Sequence, residues 1–304
     1  MKSIRIMRMK KLKKFLLKKF QEAVKDKERK GGNMNKKIIF KLLIGAAAAF
    51  SFFILLGINN HLNVVQYQIQ DERIKGNMKI AFISDYHSED YGEKQEKLLK
   101  ALEEEHPDAV FLGGDIFDDK KPYENVLELL EGLEGNYETY FITGNHEFRL
   151  ENTDEIKEVV KSYGIHVLAG ETVPLIRENL GVDISGIDDE DAGYEGFYQQ
   201  FEKAEETRRE EADSILLSHR PEYFDYYAGK GYNLVLSGHT HGGIWRIPKI
   251  SNGFLSSERK YMGGKYQIEN SNLIVGRGLA KWTGVLFRLY NPPELVVVLL
   301  GGKD

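Results

Sequence analysis

Five apolar runs between Met78 and Gly243 end alike: "IAFISDYH", "VFLGGDIFDD", "YFITGNHE", "ILLSHRPE" and "LVLSGHTHGG". Each is short, rich in β-branched and aromatic residues, and closes on turn-forming polar residues, the pattern of a buried strand that stops at a turn. Charged stretches of helical period, "KQEKLLKALEEE", "YENVLELLEGLE" and "TDEIKEVVKSYG", follow the first three runs. This βαβα alternation predicts a largely parallel sheet with helices packed on it. The carboxyl ends of parallel strands lie along one edge, so the polar residues at these ends are expected to converge on one crevice.

The rhythm then changes. "TVPLIRENLGVDISGI" reads as two strands about a turn, and "YEGFYQQFEKAEETRREEA" as a long helix. From Trp245 onward the helical periods vanish, and "KYQI", "NLIVGRG", "GVLFRLY" and "ELVVVLL" read as short strands of a second sheet stacked on the first. Nothing between Lys75 and Asp304 has the composition of a long linker, so 76–304 reads as one domain.

Taken singly, an Asp or His after a strand is usually a turn former or a helix cap. Five such ends in succession are another matter, and five of the eight histidines stand there. The candidate ligands are Asp85, His87, Asp115, Asn145, His219, His239 and His241, with Asp118, Asp119 and Glu147 in the same blocks. Carboxylate and amide oxygens mixed with imidazoles, in a chain without cysteine, suit Mn, Fe or Zn in a hydrolytic site rather than a structural zinc. Seven ligands exceed the needs of one ion. Two ions about 3.5–4 Å apart, bridged by a carboxylate, would use them all, activate water and clamp a phosphoryl group. His146, beside Asn145, is then free to donate a proton to a leaving oxygen.

The N-terminal part is different in kind. Met1 to Lys41 has 16 Lys/Arg against 3 Asp/Glu, and the remainder has 26 against 44. Between them "LLIGAAAAFSFFILLGI" is uncharged, and counted from Ile38 it is long enough for a transmembrane anchor over 38–58, followed by a tether over 59–75. The basic flank places 1–37 in the cytoplasm and the acidic domain outside. No small-residue cleavage pattern follows the apolar run, so the anchor is expected to be retained. Met34, after "KGGN", reads as an alternative start that would leave 1–33 untranslated; if made, their basic pattern suits an amphipathic helix on an anionic leaflet. An acidic domain argues against nucleic acid as a bulk ligand.

Asp85-x-His87, Gly114-Asp115-x-x-Asp118, Gly144-Asn145-His146-Glu147, His219 and Gly238-His239-x-His241 resemble, in order and spacing, the five signature blocks of the calcineurin-like metallophosphoesterases. "SHRPEYF", "SGHTHGGIWRIP" and the tail from Gly276 to Leu299 are similar to the membrane-anchored bacterial branch of that superfamily. The resemblance implies an α/β, four-layer αββα sandwich of two mixed sheets. It implies one metal held by Asp85, His87, Asp115 and His241, and another by Asp115, Asn145, His219 and His239. His146 would be the proton donor and a metal-bridging hydroxide the nucleophile. Ile244 and Tyr86 depart from the residues usual at their positions, which puts the pocket's shape, not its metal binding, in question.

The function expected is hydrolysis of a phosphodiester or phosphomonoester at a bacterial membrane, with a lipid headgroup or cell-envelope precursor as substrate on grounds of topology. One rival is a cytoplasmic UDP-sugar-lipid pyrophosphatase, another a non-catalytic metal-binding module. Arg220, Arg246, Lys260, Arg277 and Lys281 are candidates to face a phosphate, and Trp282 or Tyr261 to stack on a base or line a lipid groove, against the plainer reading of surface charges and core aromatics.

Overall fold

The structure, a computed structural model, describes residues 36–302 apart from 72–73, 75, 151, 178–179, 210–211, 248–249, 256–259 and 284–285. The expectations for 1–33 lie outside the described residues. The chain divides into an N-terminal unit ending at Leu55 and a second unit, Leu56–Asp304. A helix spans Lys36–Gly57, and its Ile38–Gly57 portion has 20 residues with mean hydropathy 2.4. At 1.5 Å per residue that portion is about 30 Å long, long and apolar enough to cross a membrane.

The second unit is built on two six-stranded mixed sheets. The first has the order β1 (Asn63–Gln70), β14 (Glu294–Gly301), β2 (Asn77–Ile83), β3 (Ala109–Gly113), β4 (Glu138–Ile142) and β5 (His166–Val167). β2 to β5 run parallel, β14 is antiparallel to β2, and β1 is parallel to β14. The second has the order β10 (Gly264–Ile268), β11 (Ser271–Val275), β9 (Leu234–Ser237), β8 (Asp213–Leu217), β7 (Leu180–Gly186) and β6 (Glu171–Arg177).

Strand alternation sorts the side chains into layers. Ile80, Phe82, Phe111 and Ile142 of the first sheet meet Ile184, Ile215, Leu217, Leu236 and Ile274 of the second in one core. Their neighbours Ala81, Ile83, Val110, Leu112 and Phe141 point the other way, onto Leu98 and Leu102 of the helix Glu96–Glu105 and Leu129, Leu130 and Leu133 of the helix Glu124–Leu133. Behind the second sheet, Leu216, Val235 and Leu273 pack on Phe197 and Phe201 of the helix Tyr194–Thr207. The result is the expected four-layer sandwich of two mixed sheets flanked by helices.

Three local expectations change. Asn63–Gln70, inside the stretch read as a tether, is β1, paired with β14 along its length. The second sheet is not made by the C-terminal strands alone: β10 and β11 join β6 to β9, whereas β14 enters the first sheet between β1 and β2. Among the described residues of "GVLFRLY", 286–290, Leu286–Phe287 is strand, paired with Trp282–Thr283, and the next residue, Arg288, turns fully inward.

Candidate metal centre

The five strand ends meet. β2, β3 and β4 of one sheet and β8 and β9 of the other end beside one another, and Asp85 N–H donates to Gly114 O (3.0 Å) and Gly238 N–H to His219 O (2.9 Å). Just past these ends the backbone turns sharply. Asp85, His87, Asp115, His239 and His241 have φ of 46°, 50°, 52°, 69° and 48°. Left-handed backbone costs a non-glycine residue on the order of 1 kcal/mol or more, so five such residues in one place are held there by the surrounding fold. Two glycines make room: a Cβ on Gly238 would lie 2.5 Å from Asp85 Oδ2, and one on Gly144 2.3 Å from Asp115 Oδ1.

Three groups of potential ligands stand here, His87, Asp118 and His146 at the rim being one, and the other two share one residue. Asp85, His87, Asp115 and His241 form one, Asp115, His219 and His239 the other, with ligand atoms in each within 4.8 Å of one another. Asp115 Oδ2 lies 3.6 Å from His87 Nε2 and 3.4 Å from His219 Nε2, so it faces both. Asn145 joins the second cluster, its Oδ1 2.9 Å from His239 Nδ1. All seven sequence-predicted ligands are therefore brought together.

The imidazoles are aimed from behind. His219 Nδ1–H donates to Gly113 O (2.8 Å), and His87 Nδ1 stands 3.1 Å from Asp118 Oδ2. Each anchor fixes the tautomer and leaves Nε2 pointing into the crevice. Asp85 Oδ2, His87 Nε2, His219 Nε2 and His241 Nδ1 are buried atoms with no hydrogen-bond partner. Buried polar atoms normally have one, and a divalent cation held by oxygen and imidazole donors fits this arrangement.

Charge is unevenly spread. Burial favours a neutral Asp115, but His219, His87 and His146 together hold its carboxyl well below the usual carboxylate range. His219, against the effect of burial, is pushed up to about 10 by that carboxylate. Burial, with His219 beside it, brings His239 down to about 3, and burial with His87 and Arg288 nearby pushes His241 down as well.

His146 lies at the rim, its ring centroid 4.4 Å from that of His87. Its Nδ1 stands 2.7 Å from Asp119 Oδ1, and its Nε2 is 2.9 Å from Arg149 Nη1. A guanidinium only donates, so Nε2 accepts and the proton of the neutral ring is on Nδ1, beside the Asp119 carboxylate but not hydrogen-bonded to it.

Beneath the ligands stand residues whose roles the sequence reading did not find. Glu147 accepts N–H bonds from Asp115 (3.0 Å), Ile116 (2.7 Å), Phe117 (3.0 Å) and Gly144 (2.7 Å), pinning the β3 and β4 ends together. Its position three residues after Gly144, as in a capping box, was the available signal. Arg288, fully buried, donates to Ala280 O (2.5 Å), Arg277 O (2.7 Å) and Gly278 O (3.2 Å), while Asn291 Nδ2 donates to His241 O (2.7 Å). No local pattern announces either of these two.

The candidate phosphate-facing cations are mostly engaged. Arg220 is tied to Asp189 (2.8 Å), Glu190 (2.7 Å) and Asp191 (2.9 Å), Arg277 pairs with Glu294, Lys260 with Asp225, and Lys281 donates to Asp90 O. Arg246 donates to Gly242 O (3.1 Å). Tyr261 is a core aromatic against Phe224 and Tyr266, whereas Trp282 is half exposed.

Comparison with known proteins agrees with this geometry. Residues 78–243 match a family model described as calcineurin-like phosphoesterase. The chain is 31% identical over 273 residues to an uncharacterized metallophosphoesterase of Aquifex aeolicus, covering 82% of this chain and 98% of that one. It is 29% identical over 232 residues to the uncharacterized metallophosphoesterase YkuE of Bacillus subtilis, covering 73% and 78%. It is 28% identical over 204 residues to the phosphodiesterase YaeI of Escherichia coli, covering 65% and 72%.

Proposed function

The chain belongs to the calcineurin-like phosphoesterase family, and from that premise we propose that it hydrolyses a phosphodiester or phosphomonoester bond at a dinuclear metal centre. The observation that supports this best is Asp115 Oδ2 facing His87 Nε2 at 3.6 Å and His219 Nε2 at 3.4 Å, one carboxylate between two ligand sets. Asp85, His87, Asp115 and His241 would hold one ion, and Asp115, Asn145, His219 and His239 the other. Two divalent ions of the Mn, Fe or Zn kind supply a water of lowered pKa and positive charge for the phosphoryl oxygens.

The chain's own residues do the rest. Asp118 and Gly113 O keep the two Nε2 atoms aimed. His146 is the proton donor: with Arg149 displaced from Nε2 and that nitrogen protonated from solvent, the imidazolium, with the Asp119 carboxylate beside Nδ1, gives its Nε2 proton to the leaving oxygen. The apolar helix is read as a single-pass anchor with its basic N-terminal side in the cytoplasm and the catalytic unit outside, on the charge asymmetry of its flanks.

The test is turnover of bis-nitrophenyl phosphate and of nitrophenyl phosphate by the full chain in detergent, stripped of metal and resupplied with Mn, beside Asp115→Asn. Metal-dependent turnover that drops at least ~10³-fold in the variant supports the reading. A folded, metal-binding chain inert toward both esters favours a binding module. A C-terminal reporter active only in the cytoplasm would reverse the orientation.

A further inference from the structure

Large apolar side chains lie exposed beside the metal centre. Ile250 is 76% exposed, Phe254 53%, Leu255 42% and Trp282 50%. They sit on two loops anchored to the residues just after His241. Phe254 N–H and Leu255 N–H both donate to Gly243 O (3.1 and 3.2 Å). Trp282 lies against Phe287, which packs on Trp245 (5.5 Å between centroids) and accepts from its Nε1–H (3.0 Å). Leu127, Val159 and Ile176 are exposed singly on separate elements, and the exposed Tyr194 and Tyr226 lie against Tyr198 and carry hydroxyls, so none of these needs an account. The four on two loops that are both tied to Gly243–Trp245 do.

The topology says what is near these loops. β1 is parallel to β14 and β14 antiparallel to β2, so β1 begins at the edge where β2, β3 and β4 end. Its first residue, Asn63, pairs with Glu294, whose N–H donates to Gly278 O, and the next residue, Leu279, donates to Asp85 O. The chain therefore enters the sheet on the metal-site side. Only residues 58–62 separate Asn63 from the end of the apolar helix at Gly57, and five extended residues span at most about 18 Å. That length of chain is all that links the apolar helix to the edge at which β1 begins.

We propose that Ile250, Phe254, Leu255 and Trp282 insert into the surface of the bilayer that holds the apolar helix, and that the metal centre acts on phosphate esters of lipid headgroups presented there. The substrate class rests on the phosphoesterase reading above; the insertion does not. Aromatic and aliphatic side chains on loops of this kind favour the headgroup–acyl boundary.

The chain has two tryptophans, Trp245 and Trp282, which makes insertion measurable. The full chain is reconstituted into phosphatidylcholine–phosphatidylglycerol vesicles with brominated acyl chains. The expected result is quenching by the bromolipid that Trp282→Phe removes. Quenching identical in wild type and Trp282→Phe overturns the proposal, as does a Trp282 open to aqueous iodide. A Trp282 shielded from both quenchers also overturns it and assigns these side chains to a protein partner. In the second arm, the double variant Ile250→Ser, Phe254→Ser is expected to keep bis-nitrophenyl phosphate turnover while hydrolysis of a vesicle-borne phosphate lipid falls at least ~10-fold. Equal loss on both substrates, or on neither, overturns the lipid assignment. Wild type inert toward both esters overturns the phosphoesterase reading, and the quenching result stands independently of it.

Discussion

His146 Nδ1 stands 2.7 Å from Asp119 Oδ1, at the rim of the centre. Burial lowers the His146 pKa, with His87 and Arg149 acting the same way, while Asp115 and, less strongly, Asp119 oppose it, so Asp119 is the carboxylate outside the ligand set that helps steady the imidazolium. Asp119→Asn is expected to lower kcat about 10-fold with little change in KM, and His146→Gln to lower it 10²–10⁴-fold. Bound metal should stay unchanged in both. Steady-state kinetics with metal analysis checks this, and metal loss in His146→Gln would make that residue a ligand instead.

Gly238→Ala tests the close approach beneath Asp85. Its methyl group would stand 2.5 Å from Asp85 Oδ2 and 2.7 Å from Ser84 Cβ, which is fixed to the β2 backbone and cannot swing away. The Asp85 carboxylate must move, so the expected outcome is loss of bound Mn from the cluster it shares with His87, Asp115 and His241, and turnover lower by at least ~10²-fold. Mass-spectrometric metal analysis of purified protein gives the stoichiometry directly.

Glu147→Gln tests the strap under the site. A carboxylate accepts all four N–H bonds described above, whereas an amide offers one oxygen and turns an NH₂ toward the remaining donors. Burial and the Asp115 charge push the Glu147 carboxyl up to about 7, with the N–H donors of Phe117 and Gly144 opposing. The substitution should cost about 3 kcal/mol, lowering Tm by roughly 5–10 °C, as scanning calorimetry would show.

Alkaline titration has a definite sign. Tyr86, Tyr91, Tyr227 and Tyr232 are fully or almost fully buried, and burial raises each phenol above its ordinary value. In the unfolded chain they lose protons near pH ~10, so above that the unfolded state binds fewer protons than the folded one and stability falls. Below that pH their contribution is complete. Ionisation at 295 nm should coincide with loss of the far-ultraviolet circular dichroism above pH ~10; gradual ionisation of an intact fold would contradict it.

What could be read in advance follows from range. Asp85, Asp115, Asn145, His219 and His239 each close an apolar strand, and parallel strands have one carboxyl edge, so convergence is a local pattern plus one topological rule. The helices Glu96–Glu105 and Glu124–Leu133 announce themselves by period. β5, two residues long, has no period to read, and β1, "NVVQYQIQ", alternates apolar and polar residues so mildly that it passes for a linker. The place of β14 between β1 and β2 depends on contacts distant in sequence, and so do Arg288 and Asn291, whose carbonyl partners lie on other segments. Arg220 shows the converse: as a candidate for a phosphate or a plain surface charge it could not be assigned locally, and Asp189, Glu190 and Asp191 occupy it.

β14 also imposes an order of events. It lies inside the first sheet, hydrogen-bonded to β1 on one side and β2 on the other, yet it is synthesised after both. Until its residues emerge, β1 and β2 have no common partner and the strand that leads to Asp85 has an open flank. The last long strand made is thus the latch of the first sheet: the strand that leads to Asp85 gains its second neighbour, and the metal ligands their fixed edge, when β14 arrives.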